Sequence, residues 1–225
     1  FAQVTNPPID PLREELVMSL MNYIGGKGGL LEETPEHCKQ IKLSHPILTP
    51  TDMWRIRNAN HPDLMVRKID ILFPAQGGGD ALKSAMDSLF EKAERHISDG
   101  ANILVLTDRH ISKDRCAIPS LLAVSGLHHH LIRKGLRSSC GLILESGEAR
   151  EVMHFSLLVA FGITAICPYV AFSTVREMAE QEYLVEKKDP EEAMDAYISA
   201  VKKGLLKSFS RMGISTIRSF FGSQR

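Results

Sequence analysis

The chain has 225 residues, is 44% hydrophobic and 24% charged, and balances 27 Lys and Arg against 27 Asp and Glu. A chain of this length can bury a full core without disulfides. Its zero net charge and the lack of a dense Lys/Arg block argue against nucleic acid and anionic membrane surfaces as partners. No apolar run reaches the roughly 20 residues of a membrane span. The composition is typical of a soluble globular protein.

The cysteines and the first residues indicate the cellular setting. Four cysteines lie far apart and form no C-x-x-C pair, so neither a zinc knuckle nor a disulfide framework is predicted. We therefore expect a reducing, intracellular compartment. The chain starts with Phe1, and its first eight residues are unlike a signal peptide. The hypothesis is that it is a piece of a longer polypeptide.

Residues 1–65 are interrupted by prolines and by the glycine-rich cluster at 25–29. Such residues favour turns and leave room for short helices only, for which we identify 10–21 and 50–57. The pattern predicts an irregular N-terminal arm that packs against the rest of the protein.

Residues 66–206 are predicted to form a central α/β domain, because short β-prone runs alternate with longer segments of helical period. The predicted strands are 69–73, 103–107, 141–145 and 163–167. The predicted helices are 78–99, a helix opened by Pro119 and closed by Gly135, and then 148–161, 172–187 and about 191–207. The expected fold is an incomplete, half βα-barrel-like parallel sheet with flanking helices, and a small open sheet remains the alternative.

The tail departs from this rhythm. Residues 207–217 are β-prone and are followed by no helix that would complete a βα unit. We predict a strand here, the first of a further domain that would occupy 207–225.

Charged residues gather where the predicted parallel strands end, the edge at which such folds place their sites. This group, called the strand-end cluster below, contains Asp108, Arg109, Glu145, Glu148 and Arg150. The acids and arginines of this cluster could form a general acid/base pair with an anion clamp, or an ion-pair network that ties loops together. Both interpretations stay open, and Glu148 could also cap the helix that it opens.

Two further motifs are given structural interpretations. The run His128, His129 and His130 is not predicted to bind a metal, because successive helical residues diverge by about 100°. The glycines at 77–79, ahead of a helix, could cradle a phosphate, whereas those at 25–29 lack the spacing of a phosphate loop; we expect tight turns at both. No catalytic residue and no metal site is predicted.

Several long motifs, in one order, resemble the central region of the large chain of glutamate synthase. They are FAQVTNPPIDPLREELVMS (1–19), LLEETPEHC (30–38), DGANILVLTDR (99–109), IPSLLA (118–123), HHHLIR (128–133), ESGEAREV (145–152), KGLLK (203–207) and RMGIST (211–216). The last two are similar to the start of that enzyme's flavin-binding barrel.

The resemblance implies a non-catalytic domain within an oxidoreductase that makes two glutamates from glutamine, 2-oxoglutarate and a reductant. An amidotransferase domain of the same polypeptide would release ammonia, which a tunnel lined partly by this region would carry to a domain with FMN and an iron-sulfur cluster. No cofactor is expected in this fragment, although Ser210, Met212 and Gly213 would contact FMN in the intact enzyme. The other implied partner is an electron-donating subunit or ferredoxin, and the implied compartment is the cytoplasm, or a plastid in a photosynthetic eukaryote.

Two other functions are weighed against this one. The chain could be an autonomous small-molecule enzyme or binding domain that uses the strand-end cluster. It could also be a flavodoxin-like or half-barrel assembly module that dimerises to complete a barrel.

Overall fold

The protein is described by a computed structural model, which covers residues 7–10, 13–28, 31 and 34–223. Residues 1–6, 11–12, 29–30, 32–33 and 224–225 fall in predicted segments or motifs but lie outside the described residues. The helices are α1 Glu14–Val17, α2 Pro50–Arg57, α3 Gly78–Ser98, α4 Ser120–Arg133, α5 Val152–Ala160, α6 Tyr169–Glu180, α7 Pro190–Arg211 and α8 Ile217–Phe220. The strands are β1 Asn22–Ile24, β2 Ile41–Leu43, β3 Val66–Asp70, β4 Leu72–Pro74, β5 Ile103–Thr107, β6 Arg115–Ala117, β7 Gly141–Glu145 and β8 Ala165–Cys167.

The centre of the molecule is a parallel sheet of four strands in the order β3-β5-β7-β8. Helices α3, α4 and α5 follow β3, β5 and β7 along the chain, and α6 and α7 follow β8. The prediction of an α/β fold with a parallel sheet and flanking helices is therefore confirmed.

Both faces of this sheet are covered. Leu104 and Leu106 of β5 belong to a large core with the flanking helices, whereas Ile103 and Val105 belong to a smaller core on the other face. The alternation follows from the two-residue period of a strand, and the continuous apolar run in β5 is typical of a strand buried on both sides.

The N-terminal arm provides the cover on the second face. Ile24 of β1 and Met53 and Ile56 of α2 pack there against Ile143 of β7. This is the face that would look into a closed barrel, so a second copy could complete a barrel only by displacing the arm. The arrangement weighs against the assembly-module hypothesis.

Helix α2 confirms the helix predicted at 50–57. Thr49 accepts a hydrogen bond from the backbone N–H of Asp52 at 3.1 Å, and Asp52 accepts one from the backbone N–H of Thr49 at 3.0 Å. This reciprocal capping box, with Pro50 at the first helical position, fixes where the helix begins. By contrast, the described residues of the helix predicted at 10–21 form only α1, and residues 11–12 lie outside the described part of the chain.

One strand prediction was only partly right. The run 69–73 spans the end of β3 and most of β4, which belong to different sheets, and β4 pairs with β6 in an antiparallel ladder. At the crossing point, the N–H of Ile71 donates to the carbonyl of Thr107, while its carbonyl accepts from Ile118. The chain therefore changes partners within one β-prone run, which local composition does not reveal.

The predicted strand at 207–217 is wrong. Helix α7 continues to Arg211, and Ile198, Val201, Leu205 and Phe209 all lie buried on one face of it. Their three- and four-residue steps extend the helical period past Lys207, and this packing outweighs the β propensity of the tail. The helix runs across the domain boundary predicted at 206/207, and that boundary itself stays a prediction.

Among the described residues, no helix combines the length and the apolar character needed to cross a bilayer.

Candidate functional site at the strand ends

Glu145, the last residue of β7, is the centre of the strand-end cluster. Its side chain is only 1% exposed, yet its carboxylate accepts hydrogen bonds from the Thr107 hydroxyl at 2.7 Å and from Nε of Arg109 at 2.6 Å. A third bond and ion pair comes from Nη2 of Arg57, at the end of α2. These contacts tie the arm to the carboxyl ends of β5 and β7.

The electrostatics of Glu145 favour its charged form. Burial acts to raise the pKa of this carboxyl group, but hydrogen bonds from Thr107, Arg109 and Arg57 outweigh burial, so the pKa is lowered overall. A carboxylate with these partners is ionised at neutral pH and has little basicity. It is suited to holding the two arginines rather than to abstracting a proton.

Asp108 lies beside Glu145 and is fully buried. It accepts hydrogen bonds from the Ser146 hydroxyl at 2.6 Å and from the backbone N–H of Gly147 at 3.0 Å. The ring of Tyr169 lies 4.2 Å from the guanidinium carbon of Arg109. Burial, together with a hydrogen bond to the Asp108 carboxylate and the charge of that group, raises the pKa of the Tyr169 hydroxyl. Asp108 is thus also occupied by partners within the chain.

The other acid, Glu148, caps a different helix from the one expected. Its Oε2 accepts a hydrogen bond from the backbone N–H of Ser120, the first residue of α4, at 2.7 Å. Helix α5, which Glu148 was expected to cap, begins after Glu151, and Glu151 forms a reciprocal capping arrangement with His154. Because a carboxylate at a helix N-terminus satisfies free N–H groups, Glu148 joins β7 to α4 across the loop.

Arg150 is separated from the rest of the predicted cluster. Its guanidinium makes no ion pair or hydrogen bond with any residue that the structure describes, although its backbone carbonyl accepts a bond from the Tyr197 hydroxyl at 2.9 Å. Arg150 lines an open cavity of about 510 Å³ together with Ser120, Glu148 and His154. The structure therefore brings Asp108, Arg109 and Glu145 together, and places Glu148 and Arg150 beside a cavity.

Sequence reasoning missed Arg57 and Ser120 of this site, and it included Ser146 only as part of the segment that follows β7. Arg57 is 88 residues from Glu145 in the chain, so no local spacing could connect them. Ser120 and Ser146 share a hydrogen bond of 2.7 Å between their hydroxyls and are both buried. Both serines directly follow residues that the sequence had placed at strand or helix boundaries, which was the only available signal.

The residues expected to contact FMN lie at the C-terminal end of α7. The Ser210 hydroxyl lies 2.7 Å from a carboxylate oxygen of Glu14 and 3.0 Å from the carbonyl of Lys207. The backbone N–H groups of Met212 and Gly213 donate to the carbonyls of Phe209 and Ser210. In this arrangement the groups that would contact a flavin are already bonded within the chain, so these three residues do not fit the cofactor here.

The histidine run is used for packing. His128 is buried and accepts a hydrogen bond at 3.0 Å from Nε of Arg137. Burial, together with the charges of Arg137 and His129, lowers the pKa of His128 to about 4. His130 stacks on Phe90 and contacts Glu94. Among the residues that the structure describes, no group of three or more His, Cys, Asp or Glu side chains is arranged to hold a metal.

Two cysteines are buried beside the sheet. Burial raises the pKa of the Cys140 thiol to about 11. Burial and the nearby charge of Glu145 raise the pKa of the Cys167 thiol to about 12. Since the thiolate is the reactive form of cysteine, neither residue is prepared to act as a nucleophile at neutral pH.

The fold and the site together define the class of protein: an α/β domain built on part of a βα barrel, whose strand-end acids are bonded within the chain. A solved structure of a mutant flavocytochrome b2 with benzoylformate matches at a TM-score of 0.50 with 12% sequence identity, over 78% of this chain and 38% of that chain. At this identity the likeness shows the fold alone.

Sequence comparison identifies the family. A family model described as the glutamate synthase central domain matches residues 1–225, so the chain belongs to this family, as the sequence resemblance predicted. The chain is 43% identical to the glutamate synthase [NADPH] large chain of Bacillus subtilis and 42% identical to the ferredoxin-dependent glutamate synthase of Pyropia yezoensis. Both matches cover all of this chain but only 14% and 15% of those relatives. The glutamate synthase [NADH] of Schizosaccharomyces pombe is 38% identical, with 11% of its length covered.

Proposed function

We propose that this chain works as the non-catalytic central domain of a glutamate synthase. In the parent enzyme it would connect the amidotransferase and FMN domains of the same polypeptide and line part of the ammonia tunnel between them. The observation that carries the proposal is the match of the whole chain to the central domain family. The parent activity would be the formation of two glutamates from glutamine, 2-oxoglutarate and a reductant.

The chemistry of the strand ends supports a connecting role. Asp108 and Glu145 already accept hydrogen bonds from neighbouring side chains, which leaves them poorly suited to act as general bases. Their bonds join β5, β7 and the arm helix α2. A domain that holds two reaction centres in register needs this kind of rigid connection, because coupling between sites passes through packed elements.

The cofactors and partners of the parent enzyme belong to this proposal as well. FMN and an iron-sulfur cluster would be held by other parts of the polypeptide, and contact of FMN with Ser210, Met212 and Gly213 would require a rearrangement at the end of α7. The names of the relatives include NADPH-, NADH- and ferredoxin-dependent enzymes, so an electron-donating subunit or ferredoxin is the expected external partner. The cytoplasm is the proposed compartment, or a plastid, since one relative is a chloroplastic enzyme of Spinacia oleracea.

The proposal can be tested on the purified chain. We expect no saturable flavin binding when FMN is titrated, and no glutamate formation from ammonia and 2-oxoglutarate with a reductant. Binding of FMN in a one-to-one ratio, or turnover above a no-protein control, would overturn the proposal.

The same preparation tests the alternative that the chain is an autonomous small-molecule enzyme or binding domain. The cavity beside Arg150 is the observation that favours this alternative. Thermal unfolding would be followed with 2-oxoglutarate, glutamine, glutamate and phosphate. A saturable rise in melting temperature that Arg150→Ala abolishes would favour an independent binding site, because a ligand that binds only the folded state stabilises it. The connecting role predicts no such rise that depends on Arg150.

A further inference from the structure

A second cavity, of about 720 Å³, lies at the opposite edge of the sheet, where β5 and β7 begin. Lys27 and Gly28 of the glycine-rich cluster line it. Gly26 packs against the carbonyl of Ser139, and the backbone N–H of Lys27 donates to the carbonyl of Ser138 at 2.7 Å. Helix α8 contributes Arg218 to the lining. Neither the resemblance nor the strand-end cluster accounts for this cavity, which we call the glycine-loop cavity.

Two positive side chains, Lys27 and Arg218, line the glycine-loop cavity. Within the described part of the chain, neither is in an ion pair with an acidic residue. The Arg218 guanidinium lies over the ring of Tyr23, with 5.4 Å between its central carbon and the ring centroid, which holds it in place at the cavity wall. Burial, and then the positive charges of Arg218 and Arg137, lower the pKa of Lys27.

Polar groups complete the lining. His37, Gln40 and Ser138 also face this space. Nε2 of His37 is buried and has no hydrogen-bond partner among the described residues. A buried polar atom without a partner costs free energy, as do two like charges held close together, and a bound group of opposite charge relieves both.

We propose that the glycine-loop cavity is an anion-binding site that takes the phosphate or carboxylate group of a small molecule. Lys27 and Arg218 would supply the charge, with Arg218 able to bind two oxygens at once through its planar fork. His37 would donate a hydrogen bond when its Nε2 carries the proton. The site is independent of the proposed connecting role, because neither cation belongs to the strand-end cluster.

The test measures how fast the Lys27 amine reacts with acetic anhydride, with mass spectrometry of each lysine. Inorganic phosphate and succinate are titrated in separate series at constant ionic strength, with chloride as the reference salt. Because an anion that raises the pKa of Lys27 by about one unit lowers its free-amine fraction about tenfold, saturable protection of roughly that size is expected. The exposed Lys92 of α3 serves as the internal control and should be unaffected.

Two variants separate binding from general salt effects. Arg218→Gln should abolish the protection of Lys27, whereas Lys113→Gln, which removes the same charge from an exposed loop, should retain it. Protection by phosphate alone, by succinate alone or by both would each support the site and would identify the group that it takes. No saturable protection, or equal protection in Arg218→Gln and wild type, would overturn it.

A third variant addresses the acids that the sequence places near the glycine-rich cluster, Glu32 and Glu33. If protection by phosphate or succinate appears only in the double variant Glu32→Gln/Glu33→Gln, the chain's own carboxylates neutralise the cavity, and the proposal of a small-molecule anion site fails. Protection of Lys27 in the wild-type chain would contradict neutralisation of the cavity by these carboxylates.

Discussion

Replacing Glu145 with alanine should lower the free energy of unfolding by about 3 kcal/mol, because removal of one partner from a buried ion pair leaves uncompensated charge. Arg57 and Arg109 would lose their shared carboxylate, and the Thr107 hydroxyl would lose its acceptor. The side chains of the two arginines are 32% and 40% exposed, so water can solvate them in part. This exposure places the expected loss at the lower end of the range for buried pairs, and urea denaturation would measure it.

The control is Glu91→Ala, at an exposed position of α3. It removes the same side chain from a site outside the cluster and should change the free energy of unfolding by no more than about 0.5 kcal/mol. If Glu145→Ala and Glu91→Ala destabilise the protein equally, Glu145 does not anchor the arm.

The pH dependence of stability provides a second test of the contribution of Glu145. The folded-state pKa of Glu145 lies below its ordinary value of 4.5, so its contribution to stability is present above that value and is lost as the pH falls through the folded pKa. The difference in unfolding free energy between wild type and Glu145→Gln should therefore be constant near neutral pH and should shrink below pH 4.5. A difference that grows on acidification would contradict the lowered pKa.

Gly162→Ala should destabilise the protein by about 3 kcal/mol, from backbone strain and overpacking together. Gly162 has a φ of 99°, which side-chain-bearing residues rarely adopt. A Cβ at this position would also collide with the imidazole ring of His128, whose Cε1 lies 2.6 Å from it. Movement of His128 would break its bond with Arg137, a partly buried cation whose other hydrogen bonds go to the carbonyls of Cys140 and Gly162.

Gly135→Ala is the matched control, because Gly135 has a φ of 71° but no atom within 4 Å of the added Cβ. It should show the backbone strain alone, which costs about 1 kcal/mol. Thermal or urea unfolding of both variants measures the difference. Equal losses at the two positions would mean that the contact with His128 and Arg137 adds nothing to the strain.

Much of the central sheet could be predicted from the sequence. Strands 103–107 and 141–145 were predicted with the bounds that the structure shows. Each is a short, mainly apolar run: Asp99 and Gly100 precede the first, and Glu145 ends the second. Helix α2 was also predicted at its observed bounds, from the breaks on either side of it, and the structure shows that Thr49 and Pro50 mark its beginning. These signals are local, and the elements that they predict are present in the fold with the same bounds.

Signals that depend on tertiary structure were missed. The first part of the β-prone tail, up to Arg211, belongs to α7 because the buried face of that helix extends to Phe209. The strand predicted at 69–73 was divided because Ile71 changes hydrogen-bond partners. In the strand-end cluster, parallel topology brought Asp108 and Glu145 together as expected. The residue that completes the cluster, Arg57, comes from the arm, whose docking position no sequence pattern indicated.

The functional assignment has a different basis from the fold. Composition and periodicity lead to an α/β domain with no predicted catalytic residue, and only the long motifs indicated glutamate synthase. The family match covers the whole chain and confirms that resemblance. The structure adds the physical part, in which the strand-end acids bond to the arm and to neighbouring loops.

Glu145 holds the arm on the sheet through its ion pair with Arg57. A double-mutant cycle with Arg57→Ala and Glu145→Ala tests it most directly, because the cycle isolates the interaction between two contacting residues. We predict a coupling of about 1 to 3 kcal/mol in the free energy of unfolding. If the two single losses instead add to within about 0.3 kcal/mol, Arg57 and Glu145 do not interact in the folded protein, and the claim is contradicted.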